Sequence, residues 1–244
     1  VINDQTVITA SYDKTIKFWN FSQPIKTGKQ QTIFLKNFNW SYMSVISLKI
    51  ISPNLLASGS ADYNIKLWDI EKGTNTRSFS GHMNDVLCLA STIGGTTLIS
   101  GSADRTIKIW SLEKKYSSAC LKTLSGNNEI IKHTDFVWTI VLLPDDTTLF
   151  SGGLNKIIKM WDIFTGQLIR NLPTEHTSHI TKLDLLANNI LVSSSNDGCL
   201  KFWDFVNNIS VHTLQSKTPT STFITIDKNT VLSAGQDKMI YVWD

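Results

Sequence analysis

The stretch SGSADRTIKIWSL, residues Ser100–Leu112, is one of six similar stretches spaced along the chain. The others begin at Thr9, Ser58, Ser151, Ser193 and Ser233, and read TASYDKTIKFWN, SGSADYNIKLWDI, SGGLNKIIKMWDI, SSSNDGCLKFWDF and SAGQDKMIYVWD. Each combines small polar residues, a turn with Asp or Asn, and an apolar run that ends in tryptophan. Such repetition first indicates architecture, because repeated units of sequence fold into repeated units of structure.

The tryptophans that close these stretches define the length of the repeating unit. They are Trp19, Trp68, Trp110, Trp161, Trp203 and Trp243, with successive spacings of 49, 42, 51, 42 and 40 residues. The short spacings indicate a unit of about 40 residues, and the long ones indicate the same unit with inserted loops.

Four short apolar runs in the third unit predict four β-strands. They are TRSFS (Thr76–Ser80), VLCLA (Val86–Ala90), TTLIS (Thr96–Ser100) and TIKIW (Thr106–Trp110). Runs this short with turn residues between them, and without helical periodicity, are typical of an antiparallel meander. One meander cannot bury both of its faces, but meanders stacked radially cover one another, as in a β-propeller. A linear β-solenoid is the alternative, although its units are usually shorter.

The units resemble WD40 repeats. The fullest copy contains the Gly81-His82 pair, an apolar strand, the turn residue Asp104 and the closing Trp110, although Ser111 replaces the usual Asp after the tryptophan. The resemblance covers residues 1–244 as a single domain, with repeats ending near residues 20, 69, 111, 162, 204 and 244. It implies an all-β WD40-type propeller with six recognisable blades of four antiparallel strands. We expect the first and last blades to be incomplete, within a ring of six or seven blades.

Composition narrows the classes of function. The net charge is only +3, from 23 basic and 20 acidic residues, which does not favour direct binding of nucleic acid. Apolar runs are too short to span a bilayer, so we expect no membrane insertion. The three cysteines show no spacing typical of a disulfide framework or a zinc site. They predict buried free thiols in a protein of the cytoplasm or nucleus.

The resemblance also implies a hydrogen-bonded chain within a blade, from indole to hydroxyl to imidazole to carboxylate. Its members are Trp110, Ser100, His82 and Asp104 in the third blade, and Trp203, Ser193, His176 and Asp197 in the fifth. Buried groups of these types all need hydrogen-bond partners, and a closed network satisfies them together.

The other blades depart from this pattern. In the fourth, His133 meets Asn155 in place of Asp, and Ser41 and Ser216 replace the histidine in the second and sixth. We therefore expect the strands of the third and fifth blades to be the most strongly held together by this hydrogen-bond network.

An alternative interpretation makes His82, Asp104 and Ser100 a catalytic set. A catalytic constellation occurs once, at one pocket, whereas this pattern recurs around the ring. The chain also carries no phosphate-binding loop, nucleophile elbow or metal-ligand cluster. We therefore expect no enzymatic activity, no cofactor and no metal.

A lysine recurs two residues before the tryptophan, at Lys17, Lys66, Lys108, Lys159 and Lys201, with Tyr241 in the last copy. These residues could form a phosphate-binding stripe. We expect instead that each aliphatic stem covers strand surface while the ammonium group reaches solvent.

By analogy with the family, we expect a protein–protein interaction scaffold in a multiprotein complex. One alternative is a substrate-recognition subunit of a ubiquitin ligase, which would need arginines on the top face of the propeller. The other is a subunit of a ribosome-biogenesis or RNA-processing particle.

Two connections are longer than the others. We expect the insertion in the first to be a solvated loop at the bottom of the propeller, and only the insertion in the second suggests where a protein could bind. Trp19 to Val45 and Trp110 to Val137 span 26 and 27 residues, against 17 to 19 elsewhere. We expect a top-face contact that includes apolar and aromatic side chains near these connections, namely Trp40, Tyr42, Ile130, Ile131 and Phe136. The alternative is that these side chains fold back onto the rim of the blade.

Overall fold

The computed structural model describes residues 6–20, 33–39, 43–113, 120–124, 133–172, 174–186, 189–227 and 230–244. These residues form 22 strands in six antiparallel sheets, and they contain no helix. Accordingly, the described residues include no helix that is long and apolar enough to cross a membrane. The predicted all-β fold, built from repeated four-stranded units, is confirmed.

Each sheet is one blade, numbered here from one to six along the chain. Blade one contains β1 (Thr6–Ala10), β2 (Thr15–Asn20) and β3 (Ile33–Asn39), and blade two contains β4 (Val45–Ser52), β5 (Leu55–Ser60), β6 (Ile65–Asp69) and β7 (Thr74–Phe79). Blade three contains β8 (Val86–Ser91), β9 (Thr97–Ser102), β10 (Ile107–Ser111) and β11 (Cys120–Leu124), and blade four contains β12 (Val137–Leu142), β13 (Thr148–Gly153), β14 (Ile158–Asp162) and β15 (Leu168–Leu172). Blade five contains β16 (Ile180–Leu186), β17 (Ile190–Ser195), β18 (Cys199–Asp204) and β19 (Ile209–Gln215), and blade six contains β20 (Thr220–Thr225), β21 (Val231–Gly235) and β22 (Ile240–Trp243).

Strands pair in chain order within every blade, so each blade is a simple meander. The run Thr76–Ser80, which belongs to the third repeat in sequence, lies mostly in β7 and pairs with β6. The outermost strand of each blade therefore comes from the start of the next sequence repeat.

The innermost strands of neighbouring blades lie side by side and run in the same direction. The hydroxyl of Ser47 in β4 donates to the carbonyl of Val86 at the start of β8, at 3.2 Å. The hydroxyl of Thr181 in β16 likewise donates to the carbonyl of Thr220 at the start of β20, at 2.9 Å. Because the strands start side by side, the turns between second and third strands share one face with the loops that enter each blade. In blade one the corresponding turn joins β1 and β2, because Thr9 pairs with Lys17 as Ser58 pairs with Lys66 in blade two. We call this the top face, and the opposite one the bottom face.

The glycine of the Ser-Gly-Ser stretch lets adjacent blades approach closely. A Cβ atom on Gly101 would lie 2.7 Å from Cγ1 of Val137 in the next blade and 2.6 Å from Sγ of Cys88. Gly59 occupies the same position in blade two, where an added Cβ atom would lie 2.6 Å from Cγ1 of Val86. Glycine is needed here for space, since distances this short are repulsive.

The hydrophobic core lies between blades. One cluster joins Ile107 and Ile109 of blade three to Val137 and Trp161 of blade four. The residue two positions after the closing tryptophan packs against the preceding blade in several cases, namely Ile70, Ile163 and Phe205. Each blade is therefore stabilised mainly by the apolar face of its neighbour.

A basic side chain on the outermost strand reaches the next blade in three places. Arg77 in β7 donates to the carbonyl oxygen of Glu113, and Lys122 and Arg170 donate to the carbonyl oxygens of Phe164 and Phe205. The three donors occupy the same position in their blades, because they pair with Leu67, Ile109 and Met160 in register. They add a polar link between blades at the rim.

The cysteines differ in environment. Burial raises the pKa of the Cys88 thiol to about 12, and its Sγ lies 3.7 Å from the carbonyl oxygen of Val137. Cys199 is half-buried, whereas Cys120 is exposed. All three are free thiols, but the expectation that all are buried is wrong for Cys120, which lies on an outermost strand.

Replacing Gly101 by alanine should lower the free energy of unfolding by about 1–3 kcal/mol, because the new methyl group overlaps Val137 and Cys88. Gly94→Ala is the matched control, since a Cβ at Gly94 meets no atom within 4 Å. We expect the control to change stability by less than about 0.5 kcal/mol. Urea denaturation of the two variants measures the difference, and equal stabilities would contradict the close-approach role of the glycine.

Candidate functional site: polar networks and the top face

A tryptophan–hydroxyl hydrogen bond is common to all six blades. The indole Nε1–H donates to a hydroxyl on the preceding strand, ten residues earlier in the chain. The pairs are Trp19–Thr9 (2.8 Å), Trp68–Ser58 (2.7 Å), Trp110–Ser100 (2.8 Å), Trp161–Ser151 (2.7 Å), Trp203–Ser193 (2.9 Å) and Trp243–Ser233 (2.8 Å). This bond joins the two ends of the repeated stretch.

In blade three the bond extends into a four-residue network. His82 Nε2 lies 2.7 Å from the Ser100 hydroxyl, and His82 Nδ1 lies 2.7 Å from a carboxylate oxygen of Asp104. The carboxylate can only accept, so Nδ1 carries the proton, Nε2 accepts from Ser100, and Ser100 accepts from Trp110. The network links the loop before β8, the strands β9 and β10, and the turn between them.

The Asp104 carboxylate accepts hydrogen bonds from three further donor groups. It accepts the backbone N–H groups of Met83 (3.0 Å) and Thr106 (2.9 Å) and the Thr106 hydroxyl (2.6 Å). Burial alone would raise the pKa of Asp104, but hydrogen bonds from His82 and Thr106 outweigh it and hold the pKa far below its ordinary value. The carboxylate is therefore ionised at neutral pH.

Blade five repeats this geometry. His176 Nε2 lies 2.8 Å from the Ser193 hydroxyl, and His176 Nδ1 lies 3.0 Å from Asp197. Burial lowers the pKa of His176, although the Asp197 carboxylate acts in the opposite direction. The structure thus brings together all eight residues that the sequence assigned to the two networks.

Blade four has the same histidine with a different partner. His133 Nε2 lies 2.7 Å from the Ser151 hydroxyl, and the Asn155 side-chain amide Nδ2 donates to His133 Nδ1 at 3.1 Å. The Asn155 oxygen meanwhile accepts the backbone N–H of Ile157 (3.4 Å). With Nδ1 accepting, Nε2 carries the proton, so the tautomer is the reverse of that in blade three.

This change leaves His133 neutral over a wide pH range. Burial lowers its pKa to about 3, and the positive charge of Lys159 contributes in the same direction. A buried imidazole without a carboxylate partner is difficult to protonate.

In the remaining blades, other groups form the hydrogen bonds at the corresponding positions. The Ser216 hydroxyl bonds to the carbonyl oxygen of Gly198 (2.9 Å) and to the Thr220 hydroxyl (3.1 Å). Asp237 accepts from the Tyr241 hydroxyl at 2.7 Å, and Asp13 pairs with Lys17 at 2.6 Å. Ser41 lies outside the described residues.

The recurring lysines do not share one environment. Lys159 is 2% exposed and donates to the Asn171 side-chain oxygen at 3.1 Å, and Lys201 is 7% exposed and donates to the Glu175 carbonyl oxygen at 3.1 Å. The expectation that the ammonium groups reach solvent is wrong for these two, because polar groups of adjacent strands and loops enclose them. The burial of Lys159 lowers its pKa.

The geometry of the blade-three network limits what the Ser100 hydroxyl can do chemically. Ser100 is fully buried, and its hydroxyl is already used toward His82 and Trp110. A nucleophile must be presented to a substrate, which this hydroxyl is not. Across the described part of the chain, no group of three or more His, Cys, Asp or Glu residues could hold a metal ion.

Four of the five residues expected to contact a partner, Trp40, Tyr42, Ile130 and Ile131, lie outside the described residues. The fifth, Phe136, is half-buried beside β12, and its carbonyl oxygen accepts the backbone N–H of Leu154 at 3.3 Å.

Sequence reasoning missed several exposed side chains on the top face. They are Tyr12 (83% exposed), Tyr63 (44%), Met83 (85%) and Trp138 (44%). Trp138 lies at the register shift between Val137 and Thr139. Its position outside the repeated tryptophan spacing was the signal that could have identified it.

A cavity of about 250 Å³ lies between blades five and six, lined by side chains that include Phe202, His212 and Trp243. Phe202 and His212 correspond in register to Ile109 and Lys122 of blade three. There, Ile163 of the next blade packs against Ile109. The cavity therefore lies at a position of blade-to-blade packing, and its walls are mostly apolar.

Comparison with known proteins identifies related sequences. The family model "WD domain, G-beta repeat" matches residues 2–20, 44–69, 73–111, 118–162 and 166–204. The guanine nucleotide-binding protein subunit beta of Solanum tuberosum is 27% identical over 216 residues, covering 85% of this chain and 55% of the relative. The nuclear distribution protein nudF of Emericella nidulans is 35% identical over 152 residues, covering 61% of this chain and 33% of the relative. The chain spans about half the length of the G-protein relatives that it matches.

The lowered pKa of His133 predicts a loss of stability in mild acid. Its folded pKa of about 3 lies below the value of 6.5 for an unperturbed histidine, so below pH 6.5 the unfolded state binds the proton first. Between pH 6.5 and 5 this costs up to about 2 kcal/mol. In Asn155→Asp the new carboxylate raises the pKa of His133, so the loss should be smaller. Denaturant titrations at the two pH values test this, and an equal loss in both proteins would refute it.

Proposed function

Because the chain belongs to the WD40 family, as its repeats predicted, we propose that it is a non-catalytic scaffold that binds other proteins through the top face of its blades. The observation that carries the proposal is the set of exposed Tyr12, Tyr63, Met83 and Trp138 on that face. Tyrosine, tryptophan and methionine are enriched in protein interfaces and often supply most of the binding energy.

The bottom face differs in the type of side chain that it exposes. Ile93 and Phe164 are its most exposed apolar groups, at 74% and 70%. Both lie in turns, and their backbone groups serve contacts between blades: Ile93 N–H donates to Asp146 at 2.9 Å, and the Phe164 carbonyl oxygen accepts from Lys122. The bottom face thus exposes an isoleucine and a phenylalanine, whereas the top face exposes two tyrosines, a tryptophan and a methionine, which favours the top face as the binding surface.

The relatives support a role within an assembly. Several are named as subunits of guanine nucleotide-binding proteins. By analogy, this chain acts as one part of a multiprotein complex in the cytoplasm or nucleus. Its three free thiols are consistent with either compartment.

The alternative functions find less support. A ubiquitin-ligase subunit that recognises phosphopeptides needs several arginines on the top face, which bind the phosphate group. Arg105 lies there, but Arg77 and Arg170 lie on outermost strands and bond to carbonyl oxygens of the next blade. Direct RNA binding is not favoured by a net charge of +3.

The proposal is tested by altering one face at a time in the full-length protein. Met83→Ser with Trp138→Ala should remove the proteins that co-purify with the unaltered protein from its native cells, with little change in melting temperature. Ile93→Ser with Phe164→Ser is the matched change on the bottom face, and it should retain them. Quantitative mass spectrometry measures both, and the opposite result would overturn the top-face assignment.

A further inference from the structure

The top of blade four combines an aromatic surface with a turn that is held against it. Val137 pairs with Gly153 in register, and Leu154 N–H donates to the carbonyl oxygen of Phe136. These contacts place the turn between β13 and β14 beside Trp138. Trp138 is 44% exposed and Ile157, in the turn, is 37% exposed.

The charge of this turn differs from that of every other blade. The acidic turn residue of the other blades, Asp13, Asp62, Asp104, Asp197 or Asp237, is replaced here by Asn155. The amide still accepts the N–H of Ile157, so the turn keeps its form but loses its negative charge. Lys156 follows directly and is exposed, and Lys159 lies behind it.

The backbone of the turn fixes where Lys156 is presented. Its φ of 63° is in the left-handed region, which is unfavourable for residues with a Cβ atom. The Thr174 hydroxyl donates to the Lys156 carbonyl oxygen at 2.7 Å and holds the peptide in place. The turn that presents Lys156 is thus the one that is bonded to the start of β12, where Trp138 lies.

The carboxylates next to Phe136 and Thr174, the two residues that bond to this turn, have their own partners. Asp135 accepts the backbone N–H of Phe136 at 2.8 Å, and a Glu175 oxygen lies 3.8 Å from the ammonium group of Lys201. Among the described residues named here, Lys156, Lys159 and Lys201 outnumber the carboxylates of Asp135 and Glu175 by one positive charge.

We propose that the top of blade four binds an acidic segment of a partner protein, with a carboxylate near Lys156 and an apolar side chain against Trp138 and Ile157. This inference rests on the proposed top-face function and names the chemistry of its partner. A phosphopeptide is less well matched, because a single exposed amine lacks the planar fork with which arginine binds phosphate.

The test uses two labelled peptides and the full-length protein. In one peptide a phenylalanine is flanked on each side by two glutamates, and in the other by two glutamines. Fluorescence anisotropy should show that the glutamate peptide binds about tenfold more tightly at low ionic strength, and that high salt removes the difference. Trp138→Ala should weaken both peptides.

Two substitutions make the test specific to charge. Lys156→Glu and Asn155→Asp should each weaken the glutamate peptide about tenfold, with little effect on the glutamine peptide. Lys238→Glu is the matched control, because Lys238 occupies the same turn position in blade six with the same left-handed backbone (φ 64°). It should leave binding unchanged. Asn155→Asp also gives His133 a carboxylate partner, so this variant should not lose stability. Weaker binding of the glutamate peptide by this variant would therefore not result from a less stable fold.

Equal affinities for the two peptides, or unchanged binding in Asn155→Asp, would overturn the proposal. So would a phosphoserine peptide that binds when the glutamate peptide does not. If partner capture were still lost in the top-face double variant, such results would leave the scaffold function standing and remove only its acidic partner.

Discussion

The hydrogen bond from indole to hydroxyl in every blade is the interaction on which the rest of the structure depends. The tryptophan that closes each repeated stretch packs between blades, and its N–H group needs an acceptor wherever it is shielded from water. A small hydroxyl residue ten positions earlier supplies that acceptor at 2.7–2.9 Å. Both partners must therefore recur together, which explains why the chain repeats a whole stretch and not merely single residues.

Histidine extends this bond in some blades and divides them into classes. In blades three and five a carboxylate orients the imidazole, so one network reaches from the third strand to the entering loop. In blade four the amide of Asn155 replaces the carboxylate, and His133 stays neutral with its proton on Nε2 instead of Nδ1. The same exchange removes a negative charge from the top face. A variation within the structural network thereby alters the surface that a partner would meet.

Much of this was predictable from sequence because it depends on spacing within one repeat. The starts of the inner strands, at Val45, Val86 and Val137, follow from the repeated apolar runs. Other features depend on contacts between repeats, which spacing does not encode. The enclosed ammonium group of Lys159 and the rim contact of Arg170 with Phe205 both require a neighbouring strand or blade. Trp138 was missed because it lies outside the repeated tryptophan spacing, at the register shift in β12.

The most direct test of the central claim is hydrogen exchange of the indole N–H groups, followed by NMR of nitrogen-labelled protein. The account predicts that the indoles of Trp110, Trp161 and Trp203 exchange slowest, since each is buried and bonded to a serine that also contacts a histidine. The exposed indole of Trp138 should exchange at a rate close to that of free tryptophan. If the three buried indoles exchanged as fast as Trp138, the indole–hydroxyl bond would not be the element that holds each blade together.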